Sequence, residues 1–134
     1  MSVRMRLQVF GNTVGKIDNI AYAPGLTVRQ AMERAFDQHT AKAYHFEMRY
    51  YGQSLGYLVS MIDDLSDQIG SDPGTFVFWE LSVNGKIADT GVDTTVLHDG
   101  DEIGWDYLAY TPGRHDSTLY QRVRDRRLTP VGVR

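Results

Sequence analysis

The sequence predicts an α+β layer fold, with one main helix packed on a mixed sheet. This is the β-grasp arrangement of ubiquitin-like and soluble-ligand-binding domains. Three observations carry it. Val3, Met5, Leu7 and Val9 alternate with polar residues at the start of the chain, the period-2 pattern of a half-buried strand. Residues 27–36 hold one capped apolar stripe at helical spacing. Phe76 to Val83 is a strand-like run that enters Asn84-Gly85, the preferred dipeptide of a two-residue hairpin.

Each element follows from local chemistry. Gly11-Asn12 and Gly15 mark a turn region after the first strand, and Ile17 to Tyr22 reads as its partner, closed by Pro24-Gly25. Thr27 with Gln30 three residues on has the spacing of a capping box. Val28, Ala31, Met32, Ala35 and Phe36 then form the stripe, which must pack on a sheet because a helix this short is marginal alone. After a polar link containing His39 and Thr40, Phe46 to Tyr51 reads as a strand with Phe46, Met48 and Tyr50 on one face. Gly52 to Gly56 is a turn, Tyr57 to Ile62 a further strand ending in Asp63-Asp64, and Asp67 to Gly74, with Asp72-Pro73-Gly74, a loop. Lys86 to Ala88 and Thr94 to Leu97 are short extended pieces, Asp99-Gly100 a turn, and Ile103 to Tyr110 the last strand. Pro112-Gly113 ends the domain, giving a β-grasp domain over 1–111 and a basic tail over 112–134.

The 134 residues fit one core. Zero cysteines exclude a disulfide scaffold, thiolate metal sites and cysteine nucleophiles. Met1-Ser-Val-Arg-Met-Arg-Leu has no apolar run of the signal-peptide kind and leads straight into a strand, so the expected location is the cytoplasm. No window approaches the roughly 18 apolar residues a membrane span needs. The net charge of −3 is uneven: six arginines against Asp116 and Asp125 give residues 113–134 a balance of +4, leaving −7 for the remainder. Such a tail can bind RNA, acidic lipid or an acidic protein face, or lie solvated against its own acidic body. No nucleic-acid motif accompanies it, so nucleic acid is not an expected partner.

Read in order, several segments resemble the C-terminal β-grasp domain of transcobalamin and intrinsic factor and its stand-alone bacterial relatives. They are Gly25-Leu-Thr-Val-Arg-Gln-Ala-Met-Glu33, Phe46-Glu47, Tyr51-Gly52 and Tyr57-Leu-Val-Ser-Met-Ile62, followed by Trp79-Glu-Leu, Asn84-Gly-Lys, Gly91-Val92, Asp99-Gly-Asp-Glu-Ile103 and Trp105-Asp-Tyr107. The match covers about residues 5–110, and each piece is weak without the ordered set. The resemblance implies binding rather than catalysis, with a corrinoid such as cobalamin as the candidate ligand and no firmly implied cofactor. In the vitamin-carrying members a large helical domain holds the other face of the corrinoid, and this chain lacks one. A homodimer would supply a second wall.

The expected ligand surface comprises Tyr50, Tyr51, Tyr57, Phe78, Trp79, Trp105 and Tyr107. Trp79 shares a face with Val77 and Leu81, where core packing competes with ligand stacking. Phe76, Phe78 and Glu80 lie on the opposite face, either covered by the tail or a partner or forming a binding platform. Gly104, between Trp105 and Ile103, leaves room for a close approach by backbone or ligand. Two alternatives remain. One is a small cofactor-free isomerase or cyclase acting on a hydrophobic substrate, with Asp106, His45 or Tyr51 moving the proton. The other is a protein-interaction module using a sheet edge or the tail. His39, His45, His98 and His115 form no ligand cluster, so no metal site is expected.

Overall fold

The computed structural model describes residues 1–38, 45–68, 76–111, 113, 119–126, 128, 130 and 131. His39, Thr40, the Asp72-Pro73-Gly74 turn, Pro112 and His115 lie outside the described residues. Eight strands and two helices follow in the order β1 (Ser2–Val9), β2 (Asn12–Ala21), α1 (Val28–Gln38), β3 (Phe46–Tyr50), β4 (Tyr57–Ile62), β5 (Leu65–Ser66), β6 (Val77–Val83), β7 (Lys86–Ile87), β8 (Glu102–Ala109) and α2 (Leu119–Asp125).

The main sheet is five-stranded and mixed, ordered β2-β1-β8-β6-β7. β1 and β8 run parallel, with Leu7 beside Trp105 and Val9 beside Tyr107. β6 runs antiparallel to β8, with Trp79 opposite Tyr107 and Leu81 opposite Trp105. Strands β3, β4 and β5 do not join this sheet but form a second, three-stranded one. Along the outer edge of β6, β7 pairs with Ser82 and Val83 and Gln68 bridges Val77. Thr94 to Leu97 contributes only a bridge between Val96 and Thr27.

Helix α1 begins with the capping box its sequence promises. The Thr27 N–H donates to Gln30 Oε1 at 3.1 Å, and the Gln30 N–H donates to Thr27 Oγ1 at 3.2 Å. Its stripe of Val28, Ala31, Met32 and Ala35 is fully buried in one core with Met5, Leu7, Val59, Ile62, Trp79 and Trp105. Phe36 at its edge meets Phe46 of β3 at 5.4 Å, so helix and second sheet cover the same face of the main sheet.

Two turns compare instructively. Asn84 and Gly85 both take positive φ, 53° and 83°, as the type I′ hairpin requires. The first hairpin turns one residue earlier than its Gly11-Asn12 pair suggests, on Phe10 and Gly11 at φ 47° and 84°. Phe10 tolerates this because its N–H donates to the Tyr107 carbonyl at 2.9 Å. Its ring also stands edge-on to Tyr107 at 5.5 Å.

Part of the basic segment covers the Phe76–Phe78 face, one of the alternatives its sequence leaves open. Residues 119–125 are helical, and Leu119, Tyr120 and Val123 are buried. They form a second core with Tyr51, Leu55, Leu58, Phe76 and Phe78 on the other face of β6. That part of the segment is therefore a packed lid rather than a solvated tail. The chain then returns to β3, where the Val131 N–H donates to the Tyr50 carbonyl.

Candidate functional site

The site lies where the Tyr51–Tyr57 loop, β6, the 88–95 loop and α2 meet. The two loops are laced together. Gly91 N–H donates to the Leu55 carbonyl at 3.0 Å, and Val92 N–H to the Tyr57 carbonyl at 3.0 Å. Tyr57 N–H donates to Asp93 Oδ1 at 2.9 Å. Gly91 is required here, because a Cβ would land on backbone atoms of Leu55 and Tyr57.

Between these loops and β6 runs a cleft lined by Tyr57, Phe78, Trp79, Trp105, Leu119 and Tyr120, among others. It exists because β6 has a gap along its outer edge. Gln68 pairs at Val77, β7 pairs from Ser82 onward, the Leu81 carbonyl accepts from the Ala88 N–H, and Phe78 to Glu80 lie between. The interior volume is about 20 Å³, room for a single water. Trp105 is 1% exposed, and among the described residues its indole Nε1 has no hydrogen-bond partner. Trp79 differs, since its Nε1–H donates to the Leu65 carbonyl at 2.9 Å.

The structure therefore brings Tyr57, Phe78, Trp79 and Trp105 to one cleft. Tyr50 flanks it by packing on Tyr57 at 4.8 Å, and Arg29 of the α1 first turn covers the Tyr57 ring at 5.1 Å. Tyr51 is buried in the α2 core. Tyr107 packs on Trp79 at 5.0 Å and its hydroxyl donates to the Ser66 carbonyl at 2.7 Å, so it braces β5. Phe78 and Trp79 are almost wholly buried. Phe78 faces Tyr120 of α2 at 5.5 Å, which answers why an aromatic sits on that face: the chain covers it. Phe76 is stacked on Tyr110 at 4.9 Å with the Arg124 guanidinium above both rings.

The three proton-transfer candidates occupy separate environments. Asp106 lies on β8 beside Arg6, whose Nη2 is 3.9 Å away. Arg6 reaches it by crossing Gly104, where a Cβ would meet Ser82 Oγ and Arg6 Nη2. The space at Gly104 thus serves an arginine side chain rather than a ligand. His45 is largely exposed, 3.8 Å from Asp63. The Asp99–Glu102 carboxylates serve structure: Asp99 accepts from the Ser2 N–H, and Asp101 accepts from the Asn84 amide and the His98 N–H. No group of three or more histidine and carboxylate side chains suited to a metal occurs among the described residues.

Sequence reasoning passes over one group entirely. Asp67 has a side chain only 7% exposed, with Arg49 Nη1 at 3.9 Å. Burial pushes its carboxyl up to about 6, against the opposing pull of Arg49. Burial, with the Asp67 charge second, also raises Tyr51, Tyr107 and Tyr120, the last well above the ordinary phenol range. Asp67 follows a two-residue strand in a stretch with turn composition, so no sequence pattern marks it as buried.

Fold and cleft define a small α+β domain of transcobalamin-like architecture with an aromatic-lined seam. The chain belongs to the family described as Domain of unknown function (DUF4430), which matches residues 25–109. Among solved structures it is similar to haptocorrin, determined in complex with Cbi, at 20% identity and a TM-score of 0.63. That likeness covers 83% of this chain and 25% of the haptocorrin chain, so this chain spans about a quarter of that protein. It is also similar to a protein of Ruminococcus gnavus ATCC 29149 whose description proposes metal binding. There the identity is 13%, the TM-score 0.55, and the coverage 81% of this chain and 97% of that one. No curated protein sequence matches the chain. No helix among the described residues is long and apolar enough to cross a membrane.

Proposed function

We propose that this chain is a β-grasp binding domain that takes a small, flat, largely apolar ligand at the seam between the Tyr51–Tyr57 loop, β6 and α2. The observation that carries this reading is the convergence of Tyr57, Phe78, Trp79 and Trp105 on one cleft roofed by a single short helix. Ligand sites are concave, apolar and aromatic, with a few polar groups that fix orientation. The unpartnered Trp105 indole N–H is such a group. A corrinoid is the candidate ligand, supported by the haptocorrin likeness.

Size decides how it would bind. Small-molecule pockets typically hold about 300–1,000 Å³, far above the cleft as it stands, so a corrinoid requires α2 to move aside and expose the Phe76–Phe78 face. With only a quarter of the haptocorrin chain represented, one protomer covers one face of the ligand, and a second copy would supply the opposite wall.

The test is a titration of the full chain with cobinamide and cyanocobalamin, read by quenching of Trp79 and Trp105 fluorescence and by analytical ultracentrifugation. Saturable quenching, with dimer formation at stoichiometric ligand, supports the corrinoid reading. Absence of quenching at high micromolar ligand, for monomer and oligomer alike, removes it.

A further inference from the structure

Strand β6 presents its backbone groups alternately to its two sides. The Phe76 carbonyl accepts from the N–H of Tyr110, just after β8, at 2.9 Å. Val77 turns the other way and exchanges both of its backbone bonds with Gln68 on the outer edge, at 2.8 and 3.1 Å. The Leu81 carbonyl also faces outward, accepting from the Ala88 N–H at 2.9 Å. Trp79 lies two residues from each, so its N–H and C=O point to that same outer edge. Among the described residues, backbone pairing there passes from Gln68 at Val77 to Ala88 at Leu81 and skips Trp79. Trp79 is almost wholly buried and lines the cleft, so this donor and acceptor sit side by side away from bulk water. Backbone groups in such a place require partners.

Two more residues lining the cleft carry buried polar atoms without hydrogen-bond partners among the described residues, the Trp105 indole Nε1 and the Tyr120 hydroxyl. The indole can only donate. A pure hydrocarbon in the cleft would leave these groups unmet, at the cost of their desolvation. We propose that the ligand of this cleft carries a carboxamide that completes the open β6 edge at Trp79. Its carbonyl oxygen accepts from the Trp79 N–H, and its own N–H donates to the Trp79 carbonyl. An amide matches because it offers an acceptor and a donor side by side, as an added strand would. A carboxylate or an ester offers no donor. This inference rests on the ligand reading above, with α2 moved aside to admit the molecule, and it names the polar group that ligand bears.

Three flat probes of similar shape separate the two bonds. Naphthalene-2-carboxamide has acceptor and donor, methyl 2-naphthoate the acceptor alone, and 2-isopropylnaphthalene neither. Each is titrated into the isotope-labelled full chain, with calorimetry reading affinity and NMR reading the Trp79 backbone N–H. The carboxamide should bind about thirtyfold more tightly than the hydrocarbon, from two net hydrogen bonds, with the ester between them. The Trp79 N–H resonance should move downfield with carboxamide and ester and stay in place with the hydrocarbon. Equal affinities overturn the carboxamide and leave the apolar-ligand reading standing. A Trp79 resonance that stays still while the carboxamide binds also overturns it. So does absence of carboxamide binding, in which case the corrinoid titration decides the broader reading separately.

Discussion

Substituting Gly91 by alanine tests the packing that builds the cleft. A Cβ at this position lands on the Tyr57 carbonyl oxygen, 2.7 Å from the Leu55 carbonyl oxygen and 2.9 Å from the Tyr57 amide nitrogen. All are backbone atoms, so no side-chain rotation relieves the contact. The two loops must part by roughly 1 Å to restore ordinary separations, which breaks or stretches the bonds from Gly91 and Val92 to Leu55 and Tyr57. Overpacking costs about 1–3 kcal/mol, and two weakened backbone bonds add about 1 kcal/mol each. The sum, about 3–5 kcal/mol, is a large share of the roughly 5–15 kcal/mol that stabilises a domain. A matched control exists in Gly104→Ala. There the added methyl meets Ser82 Oγ and Arg6 Nη2, the ends of side chains that can turn away, so the cost should stay below about 1.5 kcal/mol. Urea unfolding followed by tryptophan fluorescence measures both. If Gly91→Ala is no more costly than Gly104→Ala, the two loops are not the rigid wall described above.

The two tryptophans should separate in a phenylalanine scan. Trp79→Phe loses the hydrogen bond to Leu65 and leaves that carbonyl unmet, costing about 2–3 kcal/mol, whereas Trp105→Phe loses no bond and should cost about 1 kcal/mol less in the same melts. Tyr120→Ala removes the aromatic that covers Phe78, so dye binding to exposed apolar surface should rise and stability fall by about 3–5 kcal/mol; unchanged dye binding would show that α2 does not shield that face. Stability should also fall with pH. Asp67 holds its proton more tightly folded than unfolded, so the chain is most stable below pH 4 with respect to this group. It loses on the order of 3 kcal/mol as pH rises from about 4 to about 6, and stays level above. Asp67→Asn should lack that decline in a series of chemical melts, and a parallel decline in the variant would assign it to other groups.

The sequence makes the frame legible where local chemistry acts alone. The alternation of β1, the Thr27–Gln30 box and Asn84-Gly85 need only neighbours in sequence, and each forms in the predicted place. The faces of β6 are legible for the same reason, since a period of two puts Trp79 and Leu81 on one side and Phe76 and Phe78 on the other. Periodicity does not reveal what lies over a face. The α2 helix offers too few apolar positions to register as a stripe among its arginines, so the sequence leaves open whether the tail, a partner or a ligand covers Phe78. Asp67 fails for a further reason: the groups beside it, Arg49 and the Ser60 carbonyl, come from other strands. Of the expected ligand residues, four from β4, β6 and β8 meet in one cleft, a meeting no residue spacing encodes.

The parallel pairing of β1 with β8 joins the two ends of the domain, with Arg4 and Glu102 linked across 98 positions. β8 is the middle strand of the main sheet, yet it follows every other strand of that sheet in the chain. On a ribosome, everything before residue 102 must therefore wait: the β1–β2 hairpin has its inner edge open and α1 has an incomplete surface to rest on. Such long-range closure slows folding relative to locally wired domains. The lid follows later still, so the Phe76–Phe78 face leaves water only after β8 is made. A chain that stops short of residue 109 has no centre strand around which to assemble, and quality control in the cell would meet this protein as an open half-sheet before it ever met it as a fold.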